Sequence, residues 1–103
     1  MKQHKHGNAK ENNNLHHLYE IVDTEIEDTY KYGISGEELL KDGSSRRANR
    51  QVTLFNKVAG WLRFFARILL KDIDGREQAL EVEKEYIEDY KQKNGGKPPR
   101  GND

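Results

Sequence analysis

The stretch WLRFFARILLKDI, residues 61–73, decides what kind of molecule this chain can be. Its apolar residues come in short runs that do not by themselves separate a helical period from an extended one. Read as helix, it continues the segment before it, residues 46–70 become one long helix, and the chain is a helical interaction domain. Read as strand, it completes a small fold of mixed helix and sheet. The flanks choose between the two. Gly60 stands before the stretch and Asp74-Gly75-Arg76 after it, and both are interruptions that suit a strand-length run. A largely buried strand is therefore expected.

Working back from that strand, a helical period runs from Arg46, with Ala48, Val52, Phe55 and Ala59 on one stripe and Leu54 and Val58 widening it. Gly60 ends this helix, and Ser44 and Ser45 offer caps at its start. Arg46, Arg50 and Lys57 fall opposite the stripe, whereas Arg47 and Gln51 fall within it, where an arginine stem can still carry its charge outward. SGEELLKDGSS, residues 35–45, reads as a loop with at most a helical turn. Further back, HLYEIVD (17–23) and DTYKYGI (28–34) are rich in strand formers and alternate. Leu18, Glu20 and Val22 are set against Tyr19, Ile21 and Asp23, and Tyr30, Tyr32 and Ile34 against Thr29, Lys31 and Gly33. The short polar link TEIE makes a β-hairpin of them, without the usual Asn-Gly or Asp-Gly turn. The fold class expected is α+β: a hairpin plus a third strand in an antiparallel sheet flanked by helices.

Working forward, Asp74 caps a last helix over roughly 75–93, NGG stops it, and KPPRGND is an extended tail. At about 100° per residue, Ala79, Leu80, Val82, Tyr86, Ile87 and Tyr90 share one arc of this helix, while Glu77, Glu81, Glu85 and Glu88 point away. Glu83 breaks the pattern. It falls near the middle of the apolar arc, one turn from Ala79 and one from Ile87. A carboxylate there needs a partner, a metal ion or a changed pKa, because burying it bare costs several kcal/mol. An ion pair with Arg47 is the bland alternative to a functional role.

Residues 1–15 read as a flexible leader or linker and 16–103 as the folded domain. His4 and His6 in the leader, and His16 and His17 at the strand entrance, are better read as tail and strand residues than as a metal site. Eighteen basic and eighteen acidic residues cancel, so a strongly basic footprint is absent overall and any basic patch must be local. With no cysteine there is no disulfide framework and no thiolate metal site. No apolar run approaches a membrane span, and the N-terminus has no apolar core of a secretory signal.

Taken in order, hairpin, arginine-bearing helix, strand, glutamate-bearing helix and terminal asparagine, the chain resembles the GIY-YIG (URI) nuclease superfamily over about residues 16–103. HLY at 17–19 occupies the place of the family's Gly-Ile-Tyr, keeping Tyr19, and KYG at 31–33 that of its Tyr-Ile-Gly. Arg47 matches the arginine of the first helix. Ala79, Glu83 and Ile87 match the pattern around the metal-binding glutamate, and PRGN at 99–102 fits a terminal P-x-x-N, placing Asn102. The KYGIS wording, the block from Gly60 to Arg76 and the PRGN end resemble in particular the URI-type C-terminal toxin domains of Rhs-like polymorphic toxins. Three positions depart from the pattern. His17 replaces glycine, Lys31 replaces tyrosine, and Gln51 stands where a histidine is often found.

The resemblance implies a divalent-metal-dependent endonuclease that hydrolyses the phosphodiester bonds of DNA, with RNA as the other substrate, acting as an antibacterial toxin. Glu83 would be the one protein ligand of a mostly hydrated Mg²⁺, which Mn²⁺ could replace. Tyr19 would stand beside the attacking water, and Lys31 beside Tyr19 would favour its phenolate or hold a phosphate. Arg47 would meet the scissile phosphate, while Tyr32, Gly33, Gln51 and Asn102 would line the substrate. Such a domain would be secreted as part of a larger effector, delivered into the target-cell cytoplasm and countered by a cognate immunity protein. The alternative is a degenerate module that keeps the fold and binds nucleic acid or protein without chemistry.

Overall fold

The computed structural model describes residues 14–103, as three strands, two helices and a terminal 3-10 turn. The expected leader, with His4 and His6, lies outside the described residues except for its last two positions. β1 (Leu15–Asp23) is the central strand, antiparallel to β2 (Asp28–Ser35) on one side and to β3 (Phe64–Asp74) on the other. The deciding stretch is therefore strand from Phe64 onward, with Trp61 to Arg63 as the turn leading into it. Gly60 makes that turn possible. It ends α1 (Arg46–Ala59) in the left-handed region, φ 84°, and its amide donates to the Asn56 carbonyl at 2.9 Å. At the other end of α1 the Ser45 hydroxyl accepts the Ala48 amide at 3.2 Å. α2 (Gly75–Lys93) follows β3 directly, and Asp74 holds the cap position without a side-chain cap bond.

The two helices cover opposite faces of the sheet, because successive residues of β1 face opposite ways. Leu18 packs with Ile34, Ile73 and Ala79 under Leu80, Val82 and Tyr86 of α2. Tyr19 and Ile21 pack with Ala48 under Val52 and Phe55 of α1, joined by Phe64 of β3. The wider stripe expected on α1 is not buried: Leu54 is 57% and Val58 80% exposed. Three strands make a narrow sheet, and Val52 and Phe55 already cover what α1 reaches.

One irregularity in β2 shapes the surroundings of Tyr19. Ile21 pairs with Lys31 but Val22 pairs with Thr29, so Tyr30 is an extra residue in β2. This bulge turns Tyr30 onto the α1 face, where its ring meets Phe55 and Phe64 at 5.4 and 5.1 Å, while Tyr32 stays on the α2 face against Tyr86. Strict alternation puts both tyrosines on one side, and the bulge overturns it. The hairpin turn is closed without glycine, by Glu27 in the left-handed region at φ 52°.

The C-terminal tail is docked, not extended. Pro99 is buried, Arg100–Asn102 form the 3-10 turn, and the Asn102 amide pairs with the Tyr32 backbone twice, accepting from its N–H and donating to its carbonyl, both at 2.8 Å. Side-chain pairing of this kind continues the ladder beyond β2 and closes its outer edge. The same tail sends Arg100 to Asp23 at 2.6 Å, where Arg63 also forks onto both carboxylate oxygens at 2.8 and 2.7 Å. Asp23 is fully buried, and these guanidinium bonds hold its pKa down at about 2.

Candidate active site

Tyr19 and Gly33 are directly opposed across β1 and β2. A Cβ on Gly33 would lie far inside van der Waals contact of Cζ and the hydroxyl of Tyr19, so the ring crosses β2 at the one residue type that leaves room for it. Its hydroxyl then donates to Gln51 Oε1 at 2.8 Å. β1 supplies Tyr19, β2 supplies Gly33 and α1 supplies Gln51, one turn after Arg47. The three meet around the phenol, where Gly33 and Gln51 serve as partners of Tyr19 within the chain.

Burial raises the Tyr19 pKa, and the Coulomb field of Glu83 adds to the rise. The Arg47 guanidinium works against both, with a smaller contribution from Arg50. With its O–H donating a hydrogen bond to Gln51 and its pKa raised, the phenol keeps its proton at ordinary pH. Lys31 is not among the main charges acting on Tyr19, which are Arg47, Glu83 and Arg50. Its own pKa is lowered by burial and then by Arg47, and only Glu83 opposes this. Regular alternation accounts for its place, since Lys31 pairs with Ile21 as Gly33 pairs with Tyr19, and both stand on the α1 face.

Glu83 is half-buried on α2, in keeping with its place on the apolar arc. Burial raises its pKa, and Lys31, Arg76 and Arg47 pull it back by charge alone. Among the described residues Glu83 forms no ion pair within 4 Å; the acids that do are Asp23, Glu20, Glu25, Glu37, Glu88 and Asp89. The bland alternative, a buried Glu83–Arg47 bridge, is thus not formed. Tyr32 is turned to the α2 core, and Asn102 binds its backbone. Neither places a polar side-chain atom beside Tyr19 in this structure.

No group of three or more histidine, aspartate or glutamate side chains among the described residues could enclose a metal. A zinc-type or calcium-type cage is therefore unsupported. One half-buried carboxylate without an ion pair does suit an ion that keeps most of its water, as Mg²⁺ does. One cavity of about 560 Å³ is lined by His16, Gly36, Glu37, Lys71 and Asp72, away from Tyr19, Lys31, Arg47, Gln51 and Glu83. One half-buried acid with three cations acting on it suits a polyanion better than a small neutral ligand.

Two residues near the site escape a reading of the sequence for motifs. Arg76 acts on Glu83 from seven positions earlier in α2, a spacing that returns to the same helix face after two turns. That spacing is visible in the sequence. His17, at the family's glycine position, meets the capping Ser45 at 2.8 Å and so ties β1 to the first turn of α1, which carries Arg47. Only the fold brings residues 28 positions apart together.

A family model described as URI fold toxin 2 matches residues 9–95 of the chain. No curated protein and no solved structure matches it significantly.

Proposed function

The chain belongs to the URI fold toxin 2 family, and on that premise we propose that it is a metal-dependent nuclease that hydrolyses phosphodiester bonds of DNA as an antibacterial toxin domain. The observation that carries the reading is the pairing of a glycine-accommodated Tyr19 with a half-buried Glu83 that has no ion partner, both within the field of Arg47. A purely structural acid on a helix core face would be expected to have a counter-ion.

In this reading Glu83 holds one hydrated divalent ion, Mg²⁺ or Mn²⁺, which when bound supplies Lewis-acid polarisation of the phosphate and the attacking water. Tyr19 orients that water: its O–H is committed to Gln51, which leaves an oxygen lone pair to accept a hydrogen bond. Arg47 contacts the non-bridging phosphate oxygens and offsets charge as it develops. Lys31 adds a second positive charge on the same face. The water oxygen bonds to phosphorus and releases a proton to solvent, the bond to the 3′ oxygen breaks, and that oxygen takes up a proton from solvent. Gly33 keeps the passage clear for the Tyr19 ring, and Asn102 fixes the β2 backbone from which Lys31 and Gly33 act.

The expected partners are DNA, with RNA as the alternative substrate, and an immunity protein that the toxin assignment calls for. Delivery would be as residues 16–103 of a larger secreted effector, into the cytoplasm of a target cell. No helix among the described residues is long and apolar enough to cross a membrane.

The Tyr19–Gln51 bond also favours a second reading, a binding module without chemistry, because a hydroxyl held as donor to an amide has no base to receive its proton. Plasmid cleavage by the purified domain separates the two. Nicking that needs Mg²⁺, stops in EDTA and is lost in Glu83→Ala supports the nuclease. Plasmid and total RNA both left intact, with Mn²⁺ also tried, would leave the binding module.

A further inference from the structure

We infer that Arg76 holds the phosphate next to the one being cleaved, so that the site is built for a chain of phosphates and not for a single phosphodiester. This rests on the nuclease reading and extends it to a residue which that reading does not use.

Four observations carry it. Arg76 lies in the first turn of α2, on the same helix face as Glu83 and two turns before it, a separation of about 10 Å along the axis. It is partly buried, which for a guanidinium without a counter-charge is costly. Among the described residues no carboxylate lies within ion-pair distance of it; the acids that pair do so with Arg50, Arg63, Arg67, Lys91, Lys93 and Arg100. The acid on which its charge acts is Glu83. Glu77 follows it immediately in sequence but points elsewhere, because adjacent residues on a helix do not face each other.

An unpaired guanidinium beside an unpaired carboxylate would ordinarily close into a bridge. Here the two stand apart on one face, with Lys31 and Arg47 also near the acid. If Glu83 is occupied by a metal and Arg47 by the scissile phosphate, a cation two turns along the helix meets the next phosphate of the same strand. Arg47 then carries the reacting group, and Arg76 sets the position of the strand. Arginine suits this task, since its planar fork takes two oxygens of one phosphate. This makes Arg76 a positioning residue, whose loss should raise KM more than it lowers kcat.

The test compares a dinucleotide, which has one phosphodiester, with a single-stranded hexanucleotide, in the parent domain, Arg76→Ala and Arg76→Lys. For the hexanucleotide, Arg76→Ala should raise KM about tenfold, as expected for one lost charge-assisted contact, with Arg76→Lys recovering most of it. The effect on the dinucleotide should be at least about fivefold smaller. In parallel, hexanucleotide binding is measured in EDTA against salt. Arg76→Ala should flatten the slope of log affinity on log salt by about 0.7, one phosphate's share for a single strand. Equal losses on the two substrates would make Arg76 a support of Glu83 or of the scissile phosphate and overturn the inference. So would unchanged kinetics with an unchanged slope. If the parent cleaves neither substrate, the nuclease reading fails while the binding slope still decides the role of Arg76.

Discussion

Two acids of this small fold, Asp23 at the end of β1 and Glu83 on α2, have opposite fates. Asp23 closes β1 with no exposed surface, receives two arginines from residues 63 and 100, and has its pKa held at about 2. Glu83 is half-buried on α2, has three cations in range but bridges none of them, and has its pKa raised by burial. The same physics acts on both: desolvation disfavours the charge and cations favour it. At Asp23 direct hydrogen bonds outweigh desolvation. At Glu83 the cations stand off and desolvation wins. The first arrangement stabilises the fold, pinning the turn before β3 and the C-terminal tail to the end of β1. The second leaves a carboxylate at a cost to stability, which is the pattern expected of a site kept open for a ligand.

The sharpest way to break this comparison is to remove each acid in turn. Glu83→Gln should lower metal-dependent cleavage by at least about 10²–10³-fold, while the melting temperature stays the same or rises. Asp23→Asn should do the reverse, costing about 3 kcal/mol because two arginines lose their shared partner. That is a fall of roughly 10–20 °C in a domain of this size, with activity retained in whatever remains folded. Thermal unfolding and plasmid cleavage on the same preparations check both.

A smaller effect should come from Gly33→Ala, which puts a methyl where the Tyr19 ring lies. We expect a cost of about 2 kcal/mol from the displaced ring and a drop in cleavage of roughly tenfold or more. The comparison control is Gly43→Ala, at a left-handed position with open space around it, which should cost only about 1 kcal/mol of backbone strain. Asn102→Ala removes two hydrogen bonds to Tyr32 and should cost about 1–2 kcal/mol.

Acid titration in EDTA separates the two acids by sign. The folded pKa of Asp23 lies below its unfolded value, so its contribution is present above about pH 4 and is lost as pH falls toward 2. The folded pKa of Glu83 is raised, so its destabilising effect is present at neutral pH and is relieved as pH falls through that raised value. The stability difference between the parent and Glu83→Gln should therefore shrink on mild acidification. The difference between the parent and Asp23→Asn should shrink only in stronger acid.

Much of this is legible in the sequence where the signal is local. Ser45 and Gly60 mark both ends of α1, Asp74 and the NGG sequence bracket α2, and the helical period isolates Glu83 without any structure. The β3 reading rests on Gly60 and Asp74-Gly75-Arg76; the strand forms, but not the largely buried one expected, because β3 is an edge strand in which only Ile73 is buried and Phe65 and Leu70 stay exposed. The features that stay hidden are set by pairing across the chain. A one-residue bulge at Tyr30 reverses the face of one tyrosine, and no local pattern announces it. The Asp23 cluster joins residues 40 and 77 positions away, the tail's lock on Tyr32 spans 70, and neither follows from periodicity. Leu54 and Val58 fit the apolar stripe of α1 but stay exposed, because sequence gives the width of a stripe and not the width of the sheet beneath it.

The role of Glu83 as a carboxylate kept open for a metal is tested most directly by a magnesium-dependent cleavage assay with Glu83→Gln, using protein whose melting temperature has been compared with the parent's. We predict supercoiled plasmid nicked by the parent and left intact by the variant, with the variant at least as stable. Equal cleavage by the two, or a variant that melts well below the parent, would make Glu83 an ordinary structural acid like Asp23 and contradict that role.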